Sequence, residues 1–294
     1  TKPKHGKHIT RYLTGIGAKL YVAMNRRGLK TTTHLIIVKF GSCHVLLLYM
    51  QSASAWTGHR FLQETLFRDS HQKEEEPKTR VCGVCEPNQK IIPLPDPGEI
   101  PLDPIILWDA LHDRKTIRVY SSEENINGNF YSPSLYSGCQ GEGEWIKFSD
   151  GPSAGALHPF ETRIVVNRVN GLEPGIYRYL PLDHALVREE CHSGDHESVA
   201  KICRNPNLVA SSAVSFIWTA VPERMIWKFG QRGWRYLFIE AGHICQNLYV
   251  VCAGLSLGVC AIGSYNDNDI NCILGIDGET EFCIYMASVG RKKE

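Results

Sequence analysis

The spacing of hydrophobic residues predicts strands in the middle and at the end of the chain. The run ETRIVVNRV at 161–169 has the composition of a strand. NGLEPG followed by IYRYL then indicates the turn and the second strand of a hairpin. Two further apolar runs, SAVSFIWTAV and FCIYMASV, have the length of buried strands. We therefore expect a sheet in the second half of the sequence.

Helical patterns surround these strands. The longest, WRYLFIEAGHICQNLYVVCAGLSLG at 234–258, is apolar on most sides and predicts a central helix. PERMIWKF begins after Pro222 and can end at Gly230. PIILWDALHDR has Pro104 in its first turn and an apolar face formed by Ile105, Leu107, Trp108 and Leu111. The mixture predicts an α+β fold, in which a mixed, mostly antiparallel sheet is flanked by helices around the long central helix.

Composition divides the chain into three zones. Residues 1–70 are basic, then apolar, and carry no motif that assigns a role, and a peptide-binding module within residues 1–100 stays open. Within them, HLIIVKFGSCHVLLLYM at 34–50 predicts two buried strands rather than a membrane span, because it includes Lys39 and His44. Residues 71–103 form a Pro-rich connector that we expect to be extended. Residues 104–294 have the pattern of a compact domain.

Charge and cysteine content narrow the functional class. The 294 residues carry a net charge of +1, which gives no overall attraction to nucleic acid or membrane. Eleven cysteines are present, and several lie within apolar runs, as buried reduced thiols do: Cys245, Cys252, Cys260 and Cys283. We expect a cytoplasmic protein without a signal peptide, since no apolar core follows the basic residues 1–11 promptly.

Two motifs suggest metal ligands, and both have simpler explanations. Cys82 and Cys85 form a CxxC without a second pair, so a zinc site would need His59 or His71, and a metal or redox role stays open. In ECHSGDHE at 190–197, an Asp195 or Ser193 cap on a following helix is the favoured interpretation. We therefore expect no metal.

Four segments carry the candidate chemistry. DRKTIRVY at 113–120 places cations after a helix, and GPSAGALHP at 151–159 collects small residues before a strand. GLSLGVCAIGSYND at 254–267 is a glycine-punctuated turn after the long helix, and VGRKKE ends the chain. Each alone is typical of a helix end, a helix cap or a terminal tail. Together they predict an anion site beside a backbone that a flat group can approach.

The order and residues of these segments resemble the nitroreductase family of flavin enzymes. The resemblance is closest to the SagB-type branch, which includes the azoline dehydrogenases of peptide-heterocycle biosynthesis. It covers about 104–291 and rests on RKTIRVY, PSAGALHPFE, GLEPGIYRYLPLDHAL, GQRGWRYLFIEAGHICQNLY, GLSLGVCAIG and VGR. Residues 121–149 depart from it, because a leucine-rich helix is expected where Pro133 and several glycines stand.

The resemblance implies that the chain binds FMN. Cationic and hydroxyl side chains would hold the phosphate: Arg114, Lys115, Thr116, Arg118 and Arg291. Small residues would admit the isoalloxazine ring: Pro152, Ser153, Ala154, Gly155 and Ala156. A turn would lie on one ring face, with a backbone N–H near Ile262 or Gly263 directed at flavin N5: Cys260, Ala261, Ile262 and Gly263.

The resemblance also implies a homodimer with the flavin at the interface, and hydride transfer at N5. Dehydrogenation of a peptide-derived azoline is the favoured activity. Reduction of small nitro-aromatics or quinones by NAD(P)H is the alternative, and a non-catalytic flavin-binding scaffold is a third. The catalytic side chains stay unknown, and we expect His243, Gln246 and Asn247 to form a buried polar network.

Overall fold

A computed structural model describes residues 7–13, 19–25, 34–40, 43–50, 53–66, 89–96, 107–121, 125–127 and 152–293. Two compact units are present, Thr1–Leu66 and Phe67–Glu294. Several predicted features lie outside the described residues: Pro104, Ile105, Cys82, Cys85, His71 and most of 121–149.

The first unit is an antiparallel sheet followed by a helix. Its strands pair in chain order: β1 (Lys7–Leu13), β2 (Lys19–Asn25), β3 (His34–Phe40) and β4 (Cys43–Met50). Helix α1 spans Ala53–Glu64. The two strands predicted within 34–50 are confirmed, since β3 and β4 pair antiparallel. Among the described residues, no helix combines the length and the apolar character required to cross a bilayer.

The second unit is built on a seven-stranded sheet. Its strands are β5 (Ile91–Pro93), β7 (Phe160–Val166), β9 (Gly175–Leu180), β10 (Ala185–Glu189), β11 (Val214–Ala220), β12 (Leu257–Ile262) and β13 (Phe282–Arg291). They lie in the order β12-β13-β11-β7-β9-β10-β5, and every adjacent pair is antiparallel. Part of the predicted connector is therefore the edge strand β5. A short parallel pair joins β6 (Ile126–Asn127) to β8 (Val169–Asn170).

Six helices of this unit are described. They are α2 (Leu107–Asp113), α3 (Ser198–Lys201), α4 (Pro206–Ala210), α5 (Glu223–Phe229), α6 (Gly233–Gly254) and α7 (Asp267–Leu274). The predicted end of α5 is confirmed, because Gly230 adopts a φ of 53° that favours glycine. The predicted long helix is α6, which has 22 residues and ends before position 258, since β12 begins at Leu257.

The core lies on both faces of the sheet because successive strand residues point in opposite directions. On β7, Ile164 packs into the cluster that includes residues of α6, whereas the adjacent Val165 packs into the cluster that includes residues of α3 and α7. On β11, Phe216 and Ile217 divide in the same way. Both faces are thus covered by helices, which confirms the predicted α+β layers.

Side-chain environments differ between two predicted helices. The predicted apolar face of α2 is exposed in one copy of the chain, since Leu107 and Trp108 are 66% and 75% exposed. The predicted buried network on α6 is wrong: His243 and Gln246 are exposed, and Nδ1 of His243 hydrogen-bonds to the carbonyl of Ile239. These positions turn away from the sheet, because Ala241, Ile244 and Cys245 occupy its side of the helix.

Candidate functional site

The cationic segment 114–118 begins a stretch that lies along the edge strand β12. The N–H of Ile117 donates to the carbonyl of Val259 at 2.8 Å, and Thr116 forms a bridge with the same residue. Further along, the N–H of Ser121 donates to the carbonyl of Arg291 at 3.0 Å. The segment is therefore fixed by backbone hydrogen bonds, whatever its charged side chains contact.

A pair of glycines makes this close approach possible. Gly258 and Gly290 are opposite each other in the register of β12 and β13. A Cβ on Gly258 would lie 2.7 Å from a methyl carbon of Ile117, and a Cβ on Gly290 would lie 2.9 Å from the ring of Tyr120. Any larger residue at either position would push the cationic segment away from the sheet.

Three cations border one narrow crevice beside this segment. Arg114, Lys115 and Lys292 line it together with Tyr249, and Asp113 is the single carboxylate in that lining. The guanidinium carbon of Arg114 lies 5.6 Å from the centre of the Tyr249 ring, within the range of a cation–π contact. The crevice therefore concentrates positive charge around a small volume.

The last strand places Lys292 rather than Arg291 at the crevice. The exposed side chain of Arg291 donates through Nε to the carbonyl of Asn125 at 3.5 Å. Successive residues of an extended chain point to opposite sides, so one of the two faces away when the other faces inward. Lys292 was visible in the VGRKKE motif, but sequence reasoning selected its neighbour. The exposed Arg118 does not line the crevice and acts on Cys260, whose pKa is raised by burial and lowered by that cation.

Tyr249 of α6 connects the cationic segment to β12. Its hydroxyl accepts the N–H of Ala261 at 2.9 Å and hydrogen-bonds to the hydroxyl of Thr116 at 3.2 Å. The residue is buried, with 8% of its surface exposed. Sequence reasoning treated it as packing within an apolar helix, and no local signal marks its hydroxyl as a bridge.

The stretch Cys260–Gly263 was predicted as a turn, and most of it is strand. Cys260, Ala261 and Ile262 belong to β12, and Gly263 follows directly. Because β12 is an edge strand, the outward N–H of Ala261 bonds Tyr249 rather than another strand. By the alternation of the strand, the N–H of Gly263, two residues further on, lies on the same outward edge.

The small-residue segment forms a tight turn with unusual backbone angles. Ala154–Ala156 is a single 3₁₀ turn that follows Ser153, and Gly155, Ala156 and His158 have φ angles of 65°, 53° and 45°. The hydroxyl oxygen of Ser153 accepts the N–H of His158 at 3.0 Å, and its carbonyl accepts the N–H of Ala156 at 3.0 Å. Pro152, Gly155 and Ala156 are exposed, so the turn presents little but backbone.

Glu240 of α6 anchors this turn. One carboxyl oxygen accepts the N–H of Ala154 at 2.6 Å, and the residue is only 4% exposed. Burial raises the pKa of Glu240 to about 7, while the Ala154 N–H, the Ser153 hydroxyl and His243 oppose that rise. The residue lies in the EAGHICQN motif, and the signal that sequence reasoning missed is that it is the single acidic residue of α6.

Lys228 approaches the same turn from α5. Its Nζ lies 2.8 Å from the position that a Cβ on Gly155 would occupy. The ammonium is exposed and lies 5.7 Å from the centre of the Phe229 ring. Gly155 is thus favoured by its φ angle, and a larger residue there would also displace the end of the Lys228 side chain.

The turn and the cationic segment lie at different places on α6. Glu240 and Tyr249 are nine residues apart, which corresponds to about 13 Å along the axis. The same spacing is two and a half turns of helix, so the two side chains leave α6 on opposite flanks. One copy of the chain therefore offers two separated surfaces rather than one closed site.

The other motifs have structural roles where they are described. Asp195 accepts the N–H of Ser198 at 2.9 Å, which confirms the predicted cap on α3. No cluster of three or more His, Cys, Asp or Glu side chains suited to a metal occurs in the described part of the chain. The four cysteines predicted to be buried thiols are confirmed as buried and unpaired: Cys245, Cys252, Cys260 and Cys283.

The fold defines an α+β protein in which one long helix crosses an antiparallel seven-stranded sheet. Residues 145–291 match the sequence profile of the nitroreductase family. A protein named as a nitroreductase in Methanocaldococcus jannaschii is 34% identical over 203 residues, which cover 69% of this chain and 97% of the relative. The chain belongs to the nitroreductase family, whose members bind flavin.

Solved structures share the same fold. A protein assigned as a nitroreductase from Anabaena variabilis matches with a TM-score of 0.61 and 24% identity over 80% of this chain and 47% of that one. The chain therefore spans about half the length of that relative. A chain of the Escherichia coli microcin synthetase McbBCD complex, with truncated pro-MccB17 bound, matches with a TM-score of 0.52 and 16% identity over 82% of this chain and 93% of its own.

Proposed function

We propose that the protein is an FMN-dependent oxidoreductase in which two copies of the chain complete each flavin site. The observation that carries the proposal is the pairing, on one helix, of a cationic crevice and an exposed small-residue turn. Family membership supplies the cofactor class, and the geometry supplies the residues that would hold it.

The cations that border the crevice suit the phosphate of FMN, which would bind at the mouth because the crevice itself has a volume of about 10 Å³. Its lining contains three cations and one carboxylate, and such an excess of positive charge is stabilised by a dianion. Arg114, Lys115 and Lys292 would bind the phosphate by charge-assisted hydrogen bonds, and Thr116 could add its hydroxyl. Arg118 and Arg291 are assigned to the approach of the anion rather than to the crevice.

The small-residue turn suits a flat aromatic ring. Gly155 and Ala156 are exposed, and their left-handed backbone leaves no bulky side chain over the surface. Ser153 has a structural role instead, because its hydroxyl oxygen closes the turn by accepting the N–H of His158. We assign Pro152, Ala154, Gly155 and Ala156 to ring contact, and the outward edge at Gly263 to the opposite side of the site.

A homodimer follows from the separation of these surfaces. The turn and the crevice are anchored on opposite flanks of α6, an arrangement that favours a site shared between two copies over one closed within a single chain. Two copies related by a two-fold axis would bring the crevice of one to the turn of the other. Proteins with this fold typically dimerise, and the exposed Trp108 on α2 offers apolar surface for such contact.

The favoured reaction is dehydrogenation of a peptide-derived azoline to an azole. FMN, when bound, supplies a two-electron acceptor for hydride at N5. The chain's own residues bind the phosphate, seat the ring and direct the N–H at the edge of β12 toward it. The motifs PSAGALHP and EAGHICQN support this branch, and the microcin synthetase complex, which holds a truncated pro-peptide, adds a fold-level likeness.

Reduction of nitro-aromatics or quinones by NAD(P)H is the second candidate. The Methanocaldococcus relative, named as a nitroreductase, favours it. A flavin-binding scaffold without activity is the third. All three share the same flavin site, so they differ in the electron donor and in what enters beside the ring.

Absorption spectra of the purified protein under anaerobic conditions test the proposal. A yellow protein that releases FMN on denaturation is the expected result, and a colourless protein that does not take up added FMN would overturn it. Bleaching by NADPH alone identifies the reductase, and bleaching only by an azoline-containing peptide identifies the dehydrogenase. A flavoprotein that neither reagent bleaches is the scaffold.

A further inference from the structure

The turn at 153–158 stores backbone strain. Ala156 and His158 both have positive φ angles, at 53° and 45°, although neither is glycine. Such a backbone conformation is unfavourable for a residue other than glycine and persists only where surrounding contacts fix it. Leu157 of the turn packs into the core and Ala154 lies against the same cluster, whereas Gly155 and Ala156 are exposed, so core packing alone does not account for the left-handed backbone between them. Hydrogen bonds to the turn are therefore the contacts to examine.

Glu240 supplies a hydrogen bond to the turn from a separate element, the helix α6. The bonds from His158 and Ala156 to Ser153 close the turn on itself. The 2.6 Å bond from the N–H of Ala154 to Glu240 instead ties it to α6, the longest helix of the described residues. The second carboxyl oxygen of Glu240, Oε2, is buried and has no hydrogen-bond partner within the distance and angle limits of such a bond.

The charges around Glu240 do not account for its burial. His243 lies one turn along the same helix and is exposed, and Lys228 of α5 reaches the turn at Gly155. Neither forms an ion pair with the carboxylate among the contacts of the described residues. A buried carboxyl without an ion pair is destabilising compared with an apolar residue of similar size. The buried position of Glu240 is therefore explained by the hydrogen bond that its carboxyl accepts from Ala154.

We propose that Glu240 is a positioning residue that holds the 153–158 turn in its exposed, left-handed form. Its carboxyl fixes the N–H of Ala154, and the backbone of the next two residues is thereby presented to solvent. That this surface receives a flavin ring rests on the function proposed above. That Glu240 fixes the turn stands on the contacts alone.

Amide hydrogen exchange of the protein without flavin tests the anchor directly. Glu240→Leu should accelerate exchange in the peptide covering 152–158 by about tenfold or more, since a buried hydrogen bond to a charged group is lost. Glu240→Gln keeps an oxygen that can accept the Ala154 N–H, so it should retain protection near the wild-type level. Unchanged protection in the Leu variant, or equal loss in both variants with an intact far-ultraviolet spectrum, would overturn the proposal.

A matched control separates the turn from general stability. Glu281→Leu removes another carboxylate from a buried ion pair, with Arg163 at 2.6 Å, and does not touch the turn. It should lower the free energy of unfolding without changing exchange at 152–158. If this variant accelerates exchange in the turn as much as Glu240→Leu does, the effect is global and the proposal is wrong.

Flavin affinity is the second measurement. The FMN dissociation constant should rise by roughly tenfold in Glu240→Leu and remain within about threefold of wild type in Glu240→Gln. An unchanged dissociation constant in the Leu variant would remove the link to the flavin. If the wild-type protein binds no FMN, the proposed function fails, and the exchange experiment still decides whether Glu240 anchors the turn.

Discussion

The hydroxyl of Tyr249 accepts the backbone N–H of Ala261 at 2.9 Å, and this bond joins the central helix to the outward edge of β12. The same hydroxyl reaches Thr116, so the edge of the sheet and the cationic segment are held by one side chain. Removal of this hydroxyl should therefore loosen both the β12 edge and the cationic segment beside the proposed phosphate site.

Tyr249→Phe should weaken FMN binding by about fivefold, which corresponds to roughly 1 kcal/mol for a net hydrogen bond. Titration of the variant with FMN, followed by flavin fluorescence, measures the change. Tyr177→Phe is the matched control, because the hydroxyl of Tyr177 donates to the carbonyl of Glu173, a residue outside the proposed site. Equal affinities of the Tyr249 variant and the control would contradict the bridging role.

The crevice predicts an order among the cations. Arg114→Ala and Lys292→Ala should each weaken FMN binding more than Arg291→Ala, because only the first two side chains line the crevice. Loss of a charge-assisted contact corresponds to about 1.5–3 kcal/mol. Dissociation constants at low and high salt provide the measurement, and a larger effect of Arg291→Ala at both would refute the assigned crevice. Lys201→Ala, on α3, serves as the control for net charge.

The glycine pair predicts a stability effect that can be rescued. Gly258→Ala should lower the free energy of unfolding by about 1–3 kcal/mol, since the new Cβ would lie 2.7 Å from Ile117. Adding Ile117→Ala should recover part of the loss by removing the clashing methyl groups. Urea unfolding of the two single variants and the double variant tests this coupling, and strict additivity would count against it.

Gly242→Ala is the control for that series. No atom lies within 4 Å of a Cβ at this exposed position of α6. The variant should be neutral or more stable by up to about 1 kcal/mol, because alanine favours helix more than glycine does. Destabilisation here would show that α6 tolerates no added side chain on that side.

Glu240 predicts a pH dependence of stability. Its pKa is raised from the ordinary 4.5 to about 7, so between these values the folded chain keeps a proton that the unfolded chain releases. The contribution of Glu240 to the free energy of unfolding therefore falls as the pH rises from about 4.5 to about 7, and it changes little at higher pH. Glu240→Gln should be no more stable than wild type near the lower limit and relatively more stable at pH 8. Urea unfolding at both pH values checks this, and a constant difference would contradict the raised pKa.

The strands were predictable from the sequence because burial on both faces restricts which residues they can contain. β7 and β11 are buried on both faces, so β-branched and aromatic residues dominate them, although β7 also buries Glu161, Thr162 and Arg163. The stretch Cys260–Gly263 was wrongly predicted as a turn, because glycines commonly mark turns, whereas most of it belongs to β12. Gly258 instead makes room for Ile117 within a strand, and that neighbour is 141 positions away in sequence.

The polar contacts of α6 were the least predictable part of the site. His243 and Glu240 are one turn apart and equally polar, yet the first is exposed and the second buried. The sheet that α6 packs against decides which of them turns inward, and that packing involves residues far apart in sequence. Sequence alone also could not show that Lys292 lines the crevice while Arg291 contacts Asn125, since the direction of alternation at a strand end depends on the pairing partner.

Because the crevice and the turn lie on opposite flanks of α6, the proposed dimer predicts how a substitution in one subunit combines with a substitution in the other. In the proposed dimer, a mixture of one Arg114→Ala copy and one Glu240→Leu copy would place both lesions in one composite site and none in the other. Such a heterodimer should hold close to half the cofactor of wild type with native affinity, although each parent homodimer is impaired at both sites. The long helix thus makes complementation between two defective subunits a property of its geometry.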